Sequence, residues 1–102
     1  NRTLYIRGNG PSLPDSLQGR LTDTTLEMRD ATDNVIGVSD NWQDNENFAS
    51  IVATNIPPGF PEEAALLVYI PASASREAYT IALRGANEEE GLAIIEIFEV
   101  PD

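Results

Sequence analysis

Residues 25–39 read TLEMRDATDNVIGVS, and this stretch predicts a β-hairpin. Leu26 and Met28 alternate with polar residues in its first half, which is typical of a strand with one buried face. Ile36 and Val38 alternate in the same way in its second half. The Asp- and Asn-rich segment between the halves favours a turn, because these side chains hydrogen-bond to nearby backbone groups. The hairpin indicates an antiparallel sheet, and we expect its apolar side chains to face the core.

Strand-like patterns recur outward from the hairpin, with Gly, Pro, Asn or Asp between them. They predict further strands at residues 3–7, 64–70, 78–84 and 92–100, and a small-residue loop at 72–76. The 64–70 run is apolar throughout, which favours a central strand covered on both faces. In the last strand we expect Ile95, Ile97 and Phe98 to face inward, with a bulge or late twist near Phe98.

Helical signals are short in this chain. Apolar residues between 47 and 54 recur near helical spacing and fit one or two helical turns, although a strand fits so short a run almost as well. No segment supplies the crossover helix that parallel strands need. We therefore predict an all-β fold, an antiparallel β-sandwich of jelly-roll type with about seven or eight strands. We expect residues 1–102 to form a single accessory domain that belongs to a larger protein.

The charge of the chain restricts its partners. It has 17 acidic and 6 basic residues and a formal net charge of −11. Such a surface repels phosphate backbones and anionic lipids, so we predict no nucleic-acid binding and no membrane insertion. All basic residues are Arg, and a carboxylate-rich surface without Lys suits a salty exterior. Plain compositional bias explains the same pattern equally well.

Three residue types that carry much of enzyme chemistry are absent: Cys, His and Lys. Without Cys there are no disulfides, no thiolate metal ligands and no thiol nucleophile. Without His and Lys, a serine nucleophile lacks its usual base. We therefore predict that the chain is not an enzyme.

A carboxylate-rich loop after the hairpin predicts a Ca²⁺ site. Ca²⁺ prefers carboxylate, amide and backbone oxygens, and Asp40, Asp44 and Glu46 lie within one loop. Asp23 or Asp30, at the ends of the partner strand, is a further candidate ligand. Solvated turn carboxylates that hydrogen-bond to their own backbone are the alternative explanation.

The single Trp of the chain lies in the same loop and suggests a second kind of site. Trp42 could stack on a sugar ring while Asn41 hydrogen-bonds to its hydroxyl groups. The alternative is that Trp42 closes the edge of the sheets as part of the core, which is the commoner role of a lone Trp beside a strand end.

The chain resembles a module of secreted and surface proteins of bacteria, similar in layout to the bacterial pre-peptidase C-terminal domains, which are small jelly-roll sandwiches. Seven segments carry this resemblance: Gly10-Pro11-Ser12-Leu13, 23–30, Val35-Ile36, Ser39-Asp40-Asn41-Trp42, 78–87, Gly91-Leu92-Ala93 and Glu96-Ile97-Phe98-Glu99. Two positions depart from it, since Asp33 stands where such modules usually have Gly and Asn9 where they usually have Arg.

The resemblance implies a non-catalytic role outside the cell. Some related modules bind Ca²⁺, and some bind an extracellular polymer. We therefore expect an accessory or binding module of a secreted or cell-surface bacterial protein, stabilised by Ca²⁺, with neighbouring domains and extracellular polysaccharide or protein as partners. A carbohydrate-binding module attached to a polysaccharide-degrading enzyme is the alternative, and a structural spacer is the third.

Overall fold

The computed structural model describes residues 2–14, 16–71 and 78–100. The predicted small-residue loop at 72–76 lies outside these residues. Within them the chain forms six strands, namely β1 (Arg2–Asn9), β2 (Thr24–Arg29), β3 (Val35–Ser39), β4 (Ala64–Ile70), β5 (Thr80–Gly85) and β6 (Ile94–Val100). Two 3-10 turns, Trp42–Asp44 and Ala86–Glu88, and one short helix, α1 (Phe48–Ala53), complete the regular structure.

The strands form two antiparallel three-stranded sheets, ordered β4-β1-β6 and β3-β2-β5. The predicted all-β class is confirmed, and the described residues contain six strands where about seven or eight were predicted. The central strand of the first sheet is β1, so the prediction of a central position for 64–70 was wrong. Tyr5 and Ile6 of β1 point to opposite faces, and both are fully buried, as a covered central strand requires.

Two groups of apolar side chains form the core. The first joins β1 and β4 to β2 and consists of Ile6, Leu26, Met28, Ala64, Leu66, Val68 and Ile70. The second lies on the opposite face of β1 and β4, where α1 and the first 3-10 turn cover it, and consists of Tyr5, Trp42, Ile51 and Ala65. The helical alternative for residues 47–54 is therefore correct, because Ile51 of α1 is fully buried in this second cluster.

The hairpin of β2 and β3 forms as predicted, but β3 presents its other face to the core. Ile36 and Val38 are 40% and 61% exposed. The register explains this, because the buried Met28 pairs with Gly37, which therefore shares its inward face. A Cβ atom at Gly37 would lie 3.4 Å from Leu66 Cδ2, an ordinary van der Waals distance, so this position of β3 faces the side chains of β4.

The last strand also differs from its prediction. Ile95 and Ile97 are 38% and 53% exposed, whereas Phe98 packs against the second core cluster. The β1–β6 ladder runs from Thr3–Val100 to Asn9–Ile94 without a register shift, so no bulge interrupts it near Phe98. The isoleucines lie on a strand at the edge of its sheet, and this position leaves them partly open to solvent.

Candidate functional site

Two carboxylates meet at the open end of the hairpin, opposite its turn. Leu26 pairs with Ser39, so Asp40 follows β3 beside the start of β2, and Asp23 immediately precedes that start. The two carboxyl groups are close enough that the charge and side-chain hydrogen bonding of Asp40 act on Asp23. Asp23 Oδ1 is enclosed and has no hydrogen-bond partner. An enclosed carboxylate oxygen without a donor is energetically costly, and a proton or a cation would offset that cost.

The electrostatics of Asp23 reflect this contact. Burial, followed by the charge and hydrogen bond of Asp40, raises the pKa of Asp23 to about 6. The charges of Glu62 and Glu89 raise it further. Near pH 7 Asp23 is therefore mostly ionised, and its charge against Asp40 is one that a bound cation would stabilise.

A small hollow of about 390 Å³ lies beside Asp40, and we call it the hairpin-end hollow. Oxygen-bearing side chains on its wall include Asp40, Asn41 and Asp44, and the cationic Arg84 lines it as well. Asn41 Oδ1 is a second enclosed oxygen without a hydrogen-bond partner. Within the described part of the chain, no three acidic side chains are grouped so as to hold a metal ion. A cation here would therefore rely on two carboxylates, amide oxygens and water.

The structure separates the predicted Ca²⁺ ligands. Asp40 and Asp44 both line the hairpin-end hollow. Asp44 also borders a larger hollow, which Glu46 and Asp30 line. The two ends of the hairpin thus hold different carboxylates, and of the predicted Ca²⁺ ligands Asp44 alone lines both hollows.

Asp30 organises the hairpin turn. Its Oδ1 accepts hydrogen bonds from the backbone N–H of Thr32 at 3.0 Å and of Asn34 at 2.9 Å, and from Thr32 Oγ1 at 2.9 Å. The Asn34 backbone bond, followed by the Thr32 side chain, lowers the pKa of Asp30. Asp30 therefore fits the alternative explanation, a turn carboxylate that hydrogen-bonds to nearby backbone groups.

Trp42 belongs to the core. It is 6% exposed, and its Nε1–H donates to the carbonyl of Phe60 at 3.1 Å. Its ring stacks on Phe48 with centroids 5.3 Å apart. The indole consequently offers no open face to a sugar ring, and carbohydrate binding would need another aromatic platform.

Glu63 is a buried carboxylate that the sequence did not indicate. It is fully buried at the start of β4, where its Oε2 accepts from the backbone N–H of Gly10 and Ser12 and from Ser12 Oγ. It thereby fixes the Gly10-Pro11-Ser12-Leu13 turn, a segment of the resemblance quoted above. Glu62 and Glu63 are adjacent and identical in type, so nothing in the sequence distinguishes the buried one.

Comparison of the chain with protein-family models, with curated proteins and with solved structures found no match in any of the three. The resemblance to the pre-peptidase C-terminal domains therefore stays a prediction. In the three described segments, no helix is both long enough and apolar enough to cross a membrane.

Proposed function

We propose that this chain is a non-catalytic accessory module of a secreted or cell-surface bacterial protein, and that Ca²⁺ held at Asp23 and Asp40 stabilises it. In this proposal the two sheets form a jelly-roll sandwich like those of the pre-peptidase C-terminal domains. The apolar cluster that joins β1 and β4 to β2 supports such stacking.

The observation that carries the Ca²⁺ proposal is the contact between Asp23 and Asp40. Two carboxylates in contact, one of them with an enclosed and unpartnered Oδ1, form an anionic oxygen pair that lacks a counter-charge. Ca²⁺ accepts irregular sets of carboxylate, amide and water oxygens, and the enclosed Oδ1 of Asn41 adds a neutral oxygen beside Asp40. Mg²⁺ demands near-ideal octahedral geometry and dehydrates reluctantly, so we expect this carboxylate pair to bind Mg²⁺ more weakly than Ca²⁺.

The non-catalytic role rests on the composition. The chain has no Cys, His or Lys, so acid–base and nucleophilic chemistry would rest on carboxylates and hydroxyl groups alone. A module of this kind contributes binding, spacing or stability to its parent protein. The large negative charge suits an environment rich in cations.

Thermal unfolding tests the proposal. The protein is unfolded in EDTA, in Ca²⁺ and in Mg²⁺ at one constant, high ionic strength, so that general screening is the same in each sample. Ca²⁺ at 100 times its Kd adds about 2.7 kcal/mol to the free energy of unfolding. For a domain of this size that gain raises Tm by on the order of 10 °C.

Variants locate the effect. Asp23→Asn and Asp40→Asn each remove one carboxylate and are expected to abolish the Ca²⁺ response. Glu99→Gln is the matched control, because it removes the same charge from an exposed position on β6. Equal shifts with Mg²⁺, no shift at all, or an undiminished shift in both Asp variants would overturn the Ca²⁺ site.

A further inference from the structure

The larger hollow, of about 800 Å³, lies between β3 and β4, and we call it the β3–β4 groove. Each of these strands is at the edge of its sheet, since β3 pairs only with β2 and β4 only with β1 among the described strands. An edge strand presents backbone N–H and C=O groups that can pair with another extended chain. The groove is therefore bounded by two strand edges.

The edge of β4 is already occupied by side chains. Asn45 Nδ2 donates to the Ala65 carbonyl at 3.1 Å, and Asn47 Nδ2 donates to the Leu67 carbonyl at 3.4 Å. These amides take the place that an added strand would need. The edge available to a further strand is consequently that of β3.

The walls of the groove are apolar and unusually open. Val35, Val38 and Tyr69 line it and are 48%, 61% and 60% exposed. Proteins commonly protect an edge strand with Lys or Pro, and β3, which reads VIGVS, has neither. Exposed β-branched side chains beside a free edge suit the added strands by which many proteins bind peptides.

Carboxylates stand at both ends of the groove. Asp30 precedes β3 at one end, and Asp44 and Glu46 follow it at the other. The five-residue strand that lies between these groups in the sequence spans about 16 Å. No Arg is among the described residues that line the groove, so its charged side chains are all acidic.

We propose that the β3–β4 groove binds an extended peptide of about five residues by pairing with the free edge of β3. The apolar side chains of the peptide pack on Val35 and Val38, and basic side chains at its two ends face the carboxylates. A second copy of this chain is a poor occupant, because each copy carries a net charge of −11. This interaction is independent of Ca²⁺ and goes beyond the function proposed above.

Binding of fluorescently labelled peptides tests the inference by anisotropy, in EDTA and at moderate salt. One probe has arginine at both ends and alternating valine and threonine between them, and the matched probe has glutamate at both ends. The arginine probe is expected to bind about tenfold or more tightly than the glutamate probe, because exchanging arginine for glutamate turns attraction to the carboxylates of the groove into repulsion. A third probe with proline at its centre is expected to bind weakly, since proline removes a backbone donor.

Two variants separate the groove from general charge attraction. Val38→Lys places a positive, edge-protecting side chain in the groove and is expected to abolish binding of the arginine probe. Val52→Lys makes the same charge change at a 44% exposed position of α1 outside the groove and is expected to leave binding nearly unchanged. Equal losses in both variants, equal affinity for both charged probes, or dimerisation that Val38→Lys abolishes would each overturn the peptide proposal.

Discussion

The buried carboxylate of Glu63 accepts a hydrogen bond of 2.9 Å from the backbone N–H of Gly10, although 53 positions separate the two residues. The same oxygen accepts from the backbone N–H of Ser12 at 3.1 Å and from its hydroxyl group at 2.6 Å. One side chain thus satisfies three donors in the turn after β1 and anchors that turn at the start of β4. The bond from Gly10 is buried, so water cannot take over that donor if the carboxylate is lost, whereas Ser12 is exposed.

We expect Glu63→Ala to lower the free energy of unfolding by about 3 kcal/mol, since it leaves the buried N–H of Gly10 unsatisfied and opens a cavity. Glu63→Gln keeps an oxygen acceptor of similar shape and is expected to cost about half as much. Urea denaturation measures both values. Glu62→Ala, an exposed neighbour, is the control and is expected to change stability by less than about 0.5 kcal/mol. Equal effects of Glu62→Ala and Glu63→Ala would contradict this anchoring role.

The Asp23–Asp40 contact predicts a particular pH dependence of stability. In the metal-free protein the pKa of Asp23 is raised from 3.8 to about 6, so the folded state holds its proton to higher pH than the unfolded state does. Stability therefore falls as pH rises from about 4 to 6, because in this window the folded state binds more protons. Asp30 has the opposite effect on the pH dependence. Its pKa is lowered in the folded state, so the stability that its carboxylate contributes is lost as pH falls.

The comparison with Asp23→Asn isolates this contribution. Tm is measured between pH 4 and pH 7 in EDTA for both proteins, and the variant is expected to gain stability over the wild type as pH rises through that window. Saturating Ca²⁺ is expected to remove the difference or reverse it at pH 7, because the cation takes the place of the proton. A constant difference between the two proteins at every pH would exclude the raised pKa as its cause.

The inverted face of β3 predicts the effects of two neighbouring substitutions. Gly37→Val places a branched side chain against Leu66 and is expected to cost about 1–3 kcal/mol through overpacking. Val38→Thr changes a side chain that is 61% exposed and is expected to alter stability by less than about 0.5 kcal/mol. Chemical denaturation measures the free energy of unfolding of both variants. The opposite order of the two effects would mean that Val38 faces the core.

The contrast between Gly37 and Val38 also shows where sequence reasoning succeeds and where it fails. Turn residues and alternation located the hairpin correctly. They could not choose the inward face of VIGVS, because the larger apolar side chains of Ile36 and Val38 favour one face, whereas the register pairs Gly37 with the buried Met28 and turns the other face toward Leu66. The packing against Leu66 is a contact between sheets, and no local pattern encodes it.

In the candidate site, too, some residues could be predicted from the sequence and others could not. The hairpin pattern and the acidic loop together pointed to Asp40, with Asp23 named as an optional partner, because pairing within a hairpin is a local property. The role of Glu63 could not be predicted from the sequence, since its hydrogen-bond donors in the 10–12 turn come from a distant part of the chain. Asp30 appeared equally suited to a metal or to a turn, and only its hydrogen bonds distinguish the two roles.

The buried position of Trp42 predicts that this residue supports stability rather than sugar binding. Trp42→Ala removes a core side chain and the donor to the Phe60 carbonyl, and is expected to cost about 3–5 kcal/mol. Trp42→Phe keeps most of the apolar volume and is expected to cost less, largely through the lost hydrogen bond. Soluble polysaccharides are expected to leave the fluorescence of Trp42 unchanged, because its ring is enclosed by Phe48 and the second core cluster. A saturable fluorescence change with a polysaccharide, together with a stability loss of under about 1 kcal/mol in Trp42→Ala, would instead place this ring at a binding surface.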